Sequence, residues 1–98
     1  MRPAREIDLV FFHGCAHAES VRARLREALG SIGAPAEWRE WDTSDAAVPA
    51  RFLGYASPTV FLNGEVVGEV VVGERFACAL AGGPSIEVLR SAFARDGR

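Results

Sequence analysis

The dipeptide Asn63-Gly64 constrains the fold of this chain more than any other short segment. It separates two largely apolar runs, Thr59–Leu62 and residues 65–72. A two-residue type I′ turn needs positive φ at both central positions, and asparagine followed by glycine adopts such angles readily. The pattern therefore predicts an antiparallel hairpin, with Gly68 as a bulge or break in its second strand.

The first half of the chain predicts a strand, a helix and a second strand. Residues 7–12 are rich in β-branched and aromatic side chains, which is typical of a buried strand. Residues 36–41 predict a second strand, and two strands joined through a helix are expected to be parallel. The helix between them ends at Gly30 and Gly33, and its apolar stripe is Val21, Leu25, Ala28, Leu29 and Ile32.

The second half predicts two further helices around the hairpin. Asp42 and Asp45 predict a turn or a helix cap, and a short helix is expected through Phe52, limited in length by Pro49. Residues 73–83 predict a loop, after which Gly82-Gly83-Pro84-Ser85 opens a last helix with apolar positions Ile86, Leu89 and Phe93. The expected order is β-α-β-α-β-β-α, a single α/β domain over residues 1–98 with a four-stranded mixed sheet and helices on both faces.

Charge and hydropathy exclude several classes of function. The chain has 11 basic and 13 acidic residues, so it lacks the excess of positive charge that is typical of nucleic-acid-binding proteins. No apolar run approaches the roughly 20 residues that a membrane span needs, and the charged start lacks the apolar segment of a secretory signal. We therefore expect a cytoplasmic protein whose two cysteines are thiols. The oligomeric state is left open.

Cys15 is the main candidate for chemistry. It follows Gly14 at the expected junction of the first strand and the first helix, with His13 and His17 two positions to either side. A helix N-terminus carries partial positive charge and unpaired N–H groups, and a protonated histidine adds to that charge. These groups predict a lowered pKa for the Cys15 thiol, because they stabilise the nucleophilic thiolate. The alternative is a small buried side chain without reactivity.

A proline stands at the head of the third strand. Tyr55 precedes the dipeptide Ser57-Pro58, and the Asn63-Gly64 hairpin follows. Proline at a strand start commonly shapes only a turn, and the sequence leaves the isomer of this bond open. The neighbourhood favours a role for Pro58 at a site.

Over about residues 6–95 the element order resembles that of small thioredoxin-like proteins of glutaredoxin size. The motifs that carry the resemblance are Phe12-His13-Gly14-Cys15-Ala16-His17 and Ser57-Pro58-Thr59-Val60. It implies a thioredoxin-like fold, Cys15 as the nucleophile of a thiol-dependent oxidoreductase, and a cis Pro58 beside it. It further implies that Ser57, Pro58 and His13 contact the substrate, a small thiol or a protein disulfide.

The family's Cys-x-x-Cys motif is incomplete, because Ala18 stands where the second cysteine would be. Three routes stay open. Glutathione resolves the mixed disulfide as a co-substrate, as in monothiol glutaredoxins; Cys78 reaches back to resolve it; or Cys15 does not turn over. His17 and Cys78 are thus secondary catalytic candidates, and no bound cofactor is expected.

Two other functions remain open. Gly14-Cys15-Ala16-His17, followed by an arginine-rich helix, is less specifically similar to short bacterial alkylmercury-lyase-like proteins. That similarity implies a soft-metal or organomercurial site of Cys15 with His13, His17 or Cys78. The other hypothesis is a thioredoxin-fold binding module without thiol chemistry, which docks a partner at the hairpin edge or near Trp38 and Trp41. Those tryptophans are three positions apart, so they are expected on opposite faces of a strand.

Overall fold

The structure is a computed structural model that describes residues 5–68 and 83–96. Its elements are β1 (Ile7–Phe11), α1 (Ala18–Ser31), β2 (Arg39–Asp42), a single 3₁₀ turn (Ala50–Phe52), β3 (Thr59–Leu62), β4 (Glu65–Val66) and α2 (Ile86–Asp96). Neither of the two described helices is long and apolar enough to cross a membrane.

The expected four-stranded mixed sheet is confirmed. Its strand order is β2-β1-β3-β4, with β1 and β2 parallel and the other neighbours antiparallel. Asn63 and Gly64 have φ of 52° and 87°, so the predicted hairpin turn with two positive φ values is also confirmed. The N–H of Val67 donates to Val60 O at 2.8 Å, so pairing continues one residue past β4. Residues 69–72 of the predicted fourth strand and the predicted loop up to residue 82 lie outside the described residues.

The two faces of the sheet are covered differently. Ile7 and Leu9 of β1 belong to a core cluster that also contains buried residues of α1 and α2. Val10 belongs to a cluster on the other face, where Phe52 of the 3₁₀ turn packs. The two α-helices of the described residues share one face, and the other face is covered there by the 3₁₀ turn rather than by the expected α-helix. The predicted second helix is a single 3₁₀ turn because Pro49 and Leu53, at its two ends, both have extended backbone.

The apolar stripe of the first helix is confirmed apart from its last member. Val21, Leu25, Ala28 and Leu29 are at most 1% exposed, whereas Ile32 is 38% exposed. The chain turns at Gly33, which has φ of 71°, and Ile32 lies at the C-cap outside the helix.

The second strand begins later than predicted, at Arg39, and both tryptophans are half-buried. Trp38 packs against the cluster on the α-helical face, and Trp41 packs against the cluster on the other face. Their expected placement on opposite faces is confirmed.

Candidate functional site

The loop that carries Cys15 and the segment Ser57-Pro58 lie at the same end of the sheet, because β1 runs antiparallel to β3. Phe12 joins them. Its N–H donates to Ser57 Oγ at 3.3 Å, and its carbonyl oxygen accepts the N–H of Cys15 at 3.1 Å. Ser57 is buried, and the Ser57–Pro58 peptide bond is cis. One residue of the main chain thus holds both the cysteine turn and the segment before β3.

Cys15 lies in the loop before α1 and not at the first residue of the helix. The helix begins at Ala18, so the predicted junction is wrong by three residues. Two consecutive turns, from Phe12 to Cys15 and from Cys15 to Ala18, separate β1 from α1, and Gly14 lies in the first of them with φ of 91°. Cys15 is 9% exposed. Burial disfavours a thiolate, while the helix N-terminus one turn further on favours it.

The two histidines beside Cys15 are held by different parts of the fold. The side chain of His13 is exposed, and the main-chain N–H of His13 donates to Asp42 Oδ1 at 3.1 Å. His17 is half-buried at the N-cap of α1 and makes no side-chain capping hydrogen bond. Within residues 5–68 and 83–96, no three His, Cys, Asp or Glu side chains form a group that could hold a metal ion. The alternative ligand set of His13, Cys15 and His17 is therefore not assembled there, and Cys78 lies outside the described residues.

Asp42, at the end of β2, fixes the cysteine loop from the side opposite to Ser57. Its Oδ1 accepts the N–H of Ser44 at 2.8 Å as well as that of His13. Partial burial raises the pKa of Asp42, but the hydrogen bonds from Ser44 and His13 and the charge of His13 outweigh it, so the pKa is lowered. An ionised Asp42 is a strong acceptor for the loop N–H groups.

Gly83 closes the site from the side of α2. It has φ of 90°, and a Cβ built on it would lie 2.9 Å from Val21 Cγ2 and 3.1 Å from Pro58 Cγ. Glycine alone has both the backbone freedom and the small size that this contact requires. The last helix begins at Ile86, directly after the segment that was predicted to open it. Ser85 Oγ accepts the N–H of Val88 at 3.2 Å in its first turn.

Replacement of Gly83 by alanine is expected to destabilise the protein by about 1–3 kcal/mol, because the residue would be strained and would press on Pro58 and Val21. Gly30→Ala is the matched control. Gly30 lies in α1 with no atom within 4 Å of a built Cβ, so alanine is expected to stabilise the protein. The gain is about 0.5–1 kcal/mol, the usual preference of a helix for alanine over glycine. Urea unfolding monitored by circular dichroism measures both, and a neutral or stabilising Gly83→Ala would contradict the close contact.

The structure brings together most of the residues that the sequence predicts for the site. Cys15, His13, Ser57 and Pro58 lie at one end of the sheet, and His17 is the N-cap of the adjoining helix. Phe12, Asp42 and Gly83 were not predicted as part of it. Phe12 acts through its main chain, which leaves no signal in the residue type. Asp42 and Gly83 were predicted only as turn or cap residues, and those patterns say nothing about distant contacts.

No known protein family, no curated protein and no solved structure matches the chain.

Proposed function

We propose that the protein is a thiol-dependent oxidoreductase of single-cysteine, glutaredoxin-like type, with a thioredoxin-like fold and Cys15 as nucleophile. The observation that carries the proposal is the pair of hydrogen bonds by which Phe12 ties the Cys15 turn to Ser57, next to Pro58. The strand order β2-β1-β3-β4, with one parallel and two antiparallel neighbour pairs, supports the thioredoxin-like fold.

The reaction is thiol–disulfide exchange. The thiolate of Cys15 attacks one sulfur of a disulfide R–S–S–R′, forms the mixed disulfide of Cys15 with R–S, and releases R′–S⁻. The thiolate of a small thiol, for which glutathione is the natural candidate, then attacks the R sulfur. This step forms a disulfide between R and the small thiol and returns Cys15 as thiolate. An external thiol is needed because the position three after Cys15 is Ala18.

The neighbouring groups have distinct roles in this scheme. Ser57 and Pro58 are both buried, so their role is to hold the cysteine loop in place from the side of β3. His13 is exposed in the same loop and brings positive charge towards the thiol when it is protonated. A reducing compartment such as the cytoplasm suits the reaction, because the thiols stay reduced there.

The rate of Cys15 alkylation by iodoacetamide as a function of pH tests the proposal. The chain has two cysteines, so Cys78→Ser leaves Cys15 as the single thiol and Cys15→Ser gives the reference profile of Cys78. We expect the Cys15 rate to reach half its maximum below about pH 8.5, the value of an ordinary thiol, because α1 and His13 favour the thiolate.

A midpoint at or above that value would contradict the proposal, as would a Cys15 that reacts only after unfolding. A sulfur that does not react in the folded protein would favour the binding module without thiol chemistry. Mass spectrometry of the alkylated protein identifies the modified cysteine in each variant.

A further inference from the structure

A second site lies at the end of the sheet opposite to Cys15, on the face that carries the 3₁₀ turn. A cavity of about 430 Å³ opens there between the start of β1, the 3₁₀ turn and the β3–β4 hairpin. Its volume lies within the roughly 300–1,000 Å³ that is usual for small-molecule sites. The N–H of Asn63 donates to Glu6 O at 2.7 Å, which holds the hairpin against the start of β1 at this end.

The wall of the cavity is aromatic. Phe61 lies at its centre, with ring centroids 5.1 Å from those of both Phe52 and Tyr55. The Tyr55 ring meets Phe61 edge to face, at an interplanar angle of 89°. Phe52 and Phe61 are almost fully buried, so Tyr55, which is half-buried, is the ring of this wall that is accessible from the cavity. Such a wall suits a planar ring, because aromatic pairs gain from offset or edge-to-face contact beyond the area they bury.

Most polar groups that line the cavity already have partners. Asp8 accepts hydrogen bonds from Arg39 through both carboxylate oxygens. Asn63 accepts the N–H of Glu6 through Oδ1 and donates through Nδ2 to Asp96 at 2.9 Å. These groups hold the walls in place and leave little capacity for a ligand.

Arg51 and Tyr55 differ from the other polar residues of the lining. Neither side chain makes a hydrogen bond or an ion pair within residues 5–68 and 83–96. The guanidinium carbon of Arg51 lies over the ring of Phe52, 4.7 Å from its centroid. Both side chains carry hydrogen-bond donors, and the planar fork of a guanidinium matches a carboxylate. Both acidic residues of the lining are paired with Arg39, Asp8 at 2.7 Å and Glu6 at 3.9 Å. Arg51 is therefore the charged residue of the described lining that has no ion pair, and it suits an anion.

We propose that this cavity binds a small aromatic anion, a compound of one or two rings with an acidic substituent. The anionic group lies on Arg51 with a hydrogen bond from the Tyr55 hydroxyl, and the ring system packs against the accessible side of the Tyr55 ring. This site is separate from Cys15 and does not depend on the function proposed for it.

Titration of the ¹⁵N-labelled full chain with 2-naphthoate tests the proposal. We expect saturable shifts of the amide signals of Tyr55, Asn63 and Gly64. Arg51→Ala should weaken binding by about tenfold or more, since a hydrogen-bonded charge is lost, and Tyr55→Phe should weaken it by roughly threefold. Arg26→Ala is the matched control, because Arg26 is an exposed arginine on α1, and it should leave the affinity unchanged.

Two further probes define the ligand chemistry. The neutral 2-naphthalenemethanol should bind at least about tenfold more weakly than 2-naphthoate, since it cannot form the charged hydrogen bonds. Tighter binding of 2-naphthyl phosphate would assign the site to aromatic phosphates, and tighter binding of 2-naphthoate would assign it to aromatic carboxylates. Equal affinities of the wild type and Arg51→Ala, equal affinities for the acid and the alcohol, or shifts that do not saturate would overturn the proposal. Alkylation of Cys15 reports on the other site, so a failure of either proposal is distinguishable from a failure of the other.

Discussion

On the proposed function, replacement of Cys15 by serine is expected to lower the rate of disulfide exchange by a factor on the order of 10³ or more, because the covalent route needs the Cys15 thiolate. Serine is close to cysteine in size, so the turn between Phe12 and Cys15 and the contact with Ser57 should remain. The measurement is the turnover of a mixed disulfide between glutathione and a small thiol, with glutathione as reductant.

Cys78→Ser is the matched control for this experiment. It removes the other cysteine of the chain, and in the single-cysteine mechanism it keeps the wild-type rate because glutathione resolves the mixed disulfide. Turnover that survives in Cys15→Ser would show that Cys15 is not the nucleophile. Turnover lost in Cys78→Ser, with unchanged alkylation of Cys15, would show that Cys78 is the resolving thiol and would contradict only the single-cysteine mechanism.

The second large effect is expected at Asp8, which lies inside the apolar run of β1. Its carboxylate is 3% exposed and accepts hydrogen bonds from Arg39 Nε at 2.7 Å and Arg39 Nη2 at 3.0 Å. Trp41 Nε1 donates to the same carboxylate at 2.9 Å. A buried carboxylate without a cationic partner is strongly unfavourable, so the stability of the sheet depends on Arg39.

We expect Arg39→Met to destabilise the protein by about 2–3 kcal/mol, somewhat below the usual cost of orphaning a buried charge because Arg39 is itself half-exposed. The double variant Asp8→Leu with Arg39→Met should recover most of this loss, since it leaves no buried charge. Arg90→Met is the control. The ion pair of Arg90 with Glu27 is exposed on both sides, and its removal should cost less than about 1 kcal/mol.

Urea unfolding of the wild type, of the single variants Asp8→Leu and Arg39→Met, and of the double variant gives the coupling between positions 8 and 39, with Arg90→Met measured beside them. If the double variant is as unstable as the sum of its single replacements, or if Arg39→Met behaves like Arg90→Met, the carboxylate of Asp8 is not held by Arg39.

The successful sequence predictions concern signals that depend on a few neighbouring residues. Asn63-Gly64 needs only its own backbone preferences to form the hairpin, and the stripe from Val21 to Leu29 needs only helical spacing to show a buried face. Such patterns also predict the mixed sheet, because the hairpin makes one pair antiparallel and the crossover makes another parallel. The candidate cysteine follows from its place after a strand and a glycine.

The parts that could not be predicted depend on contacts between distant residues. Asp8 and Arg39 are 31 positions apart, and the hydrogen bond from Phe12 to Ser57 spans 45. The start of α1 was misplaced because two tight turns, from Phe12 to Cys15 and from Cys15 to Ala18, separate the end of β1 from the helix.

The amino-acid sequence by itself determined the kind and order of most elements, because hydrophobic spacing and turn preferences act over one or two turns of chain. The tertiary structure alone decided which face each described helix covers, which residue pairs with the charge of Asp8, and that Gly83 lies against Pro58. The physical reason is that a buried charge is stabilised, and a close backbone contact is formed, by partners that only folding brings together. These partners leave no periodic pattern along the chain.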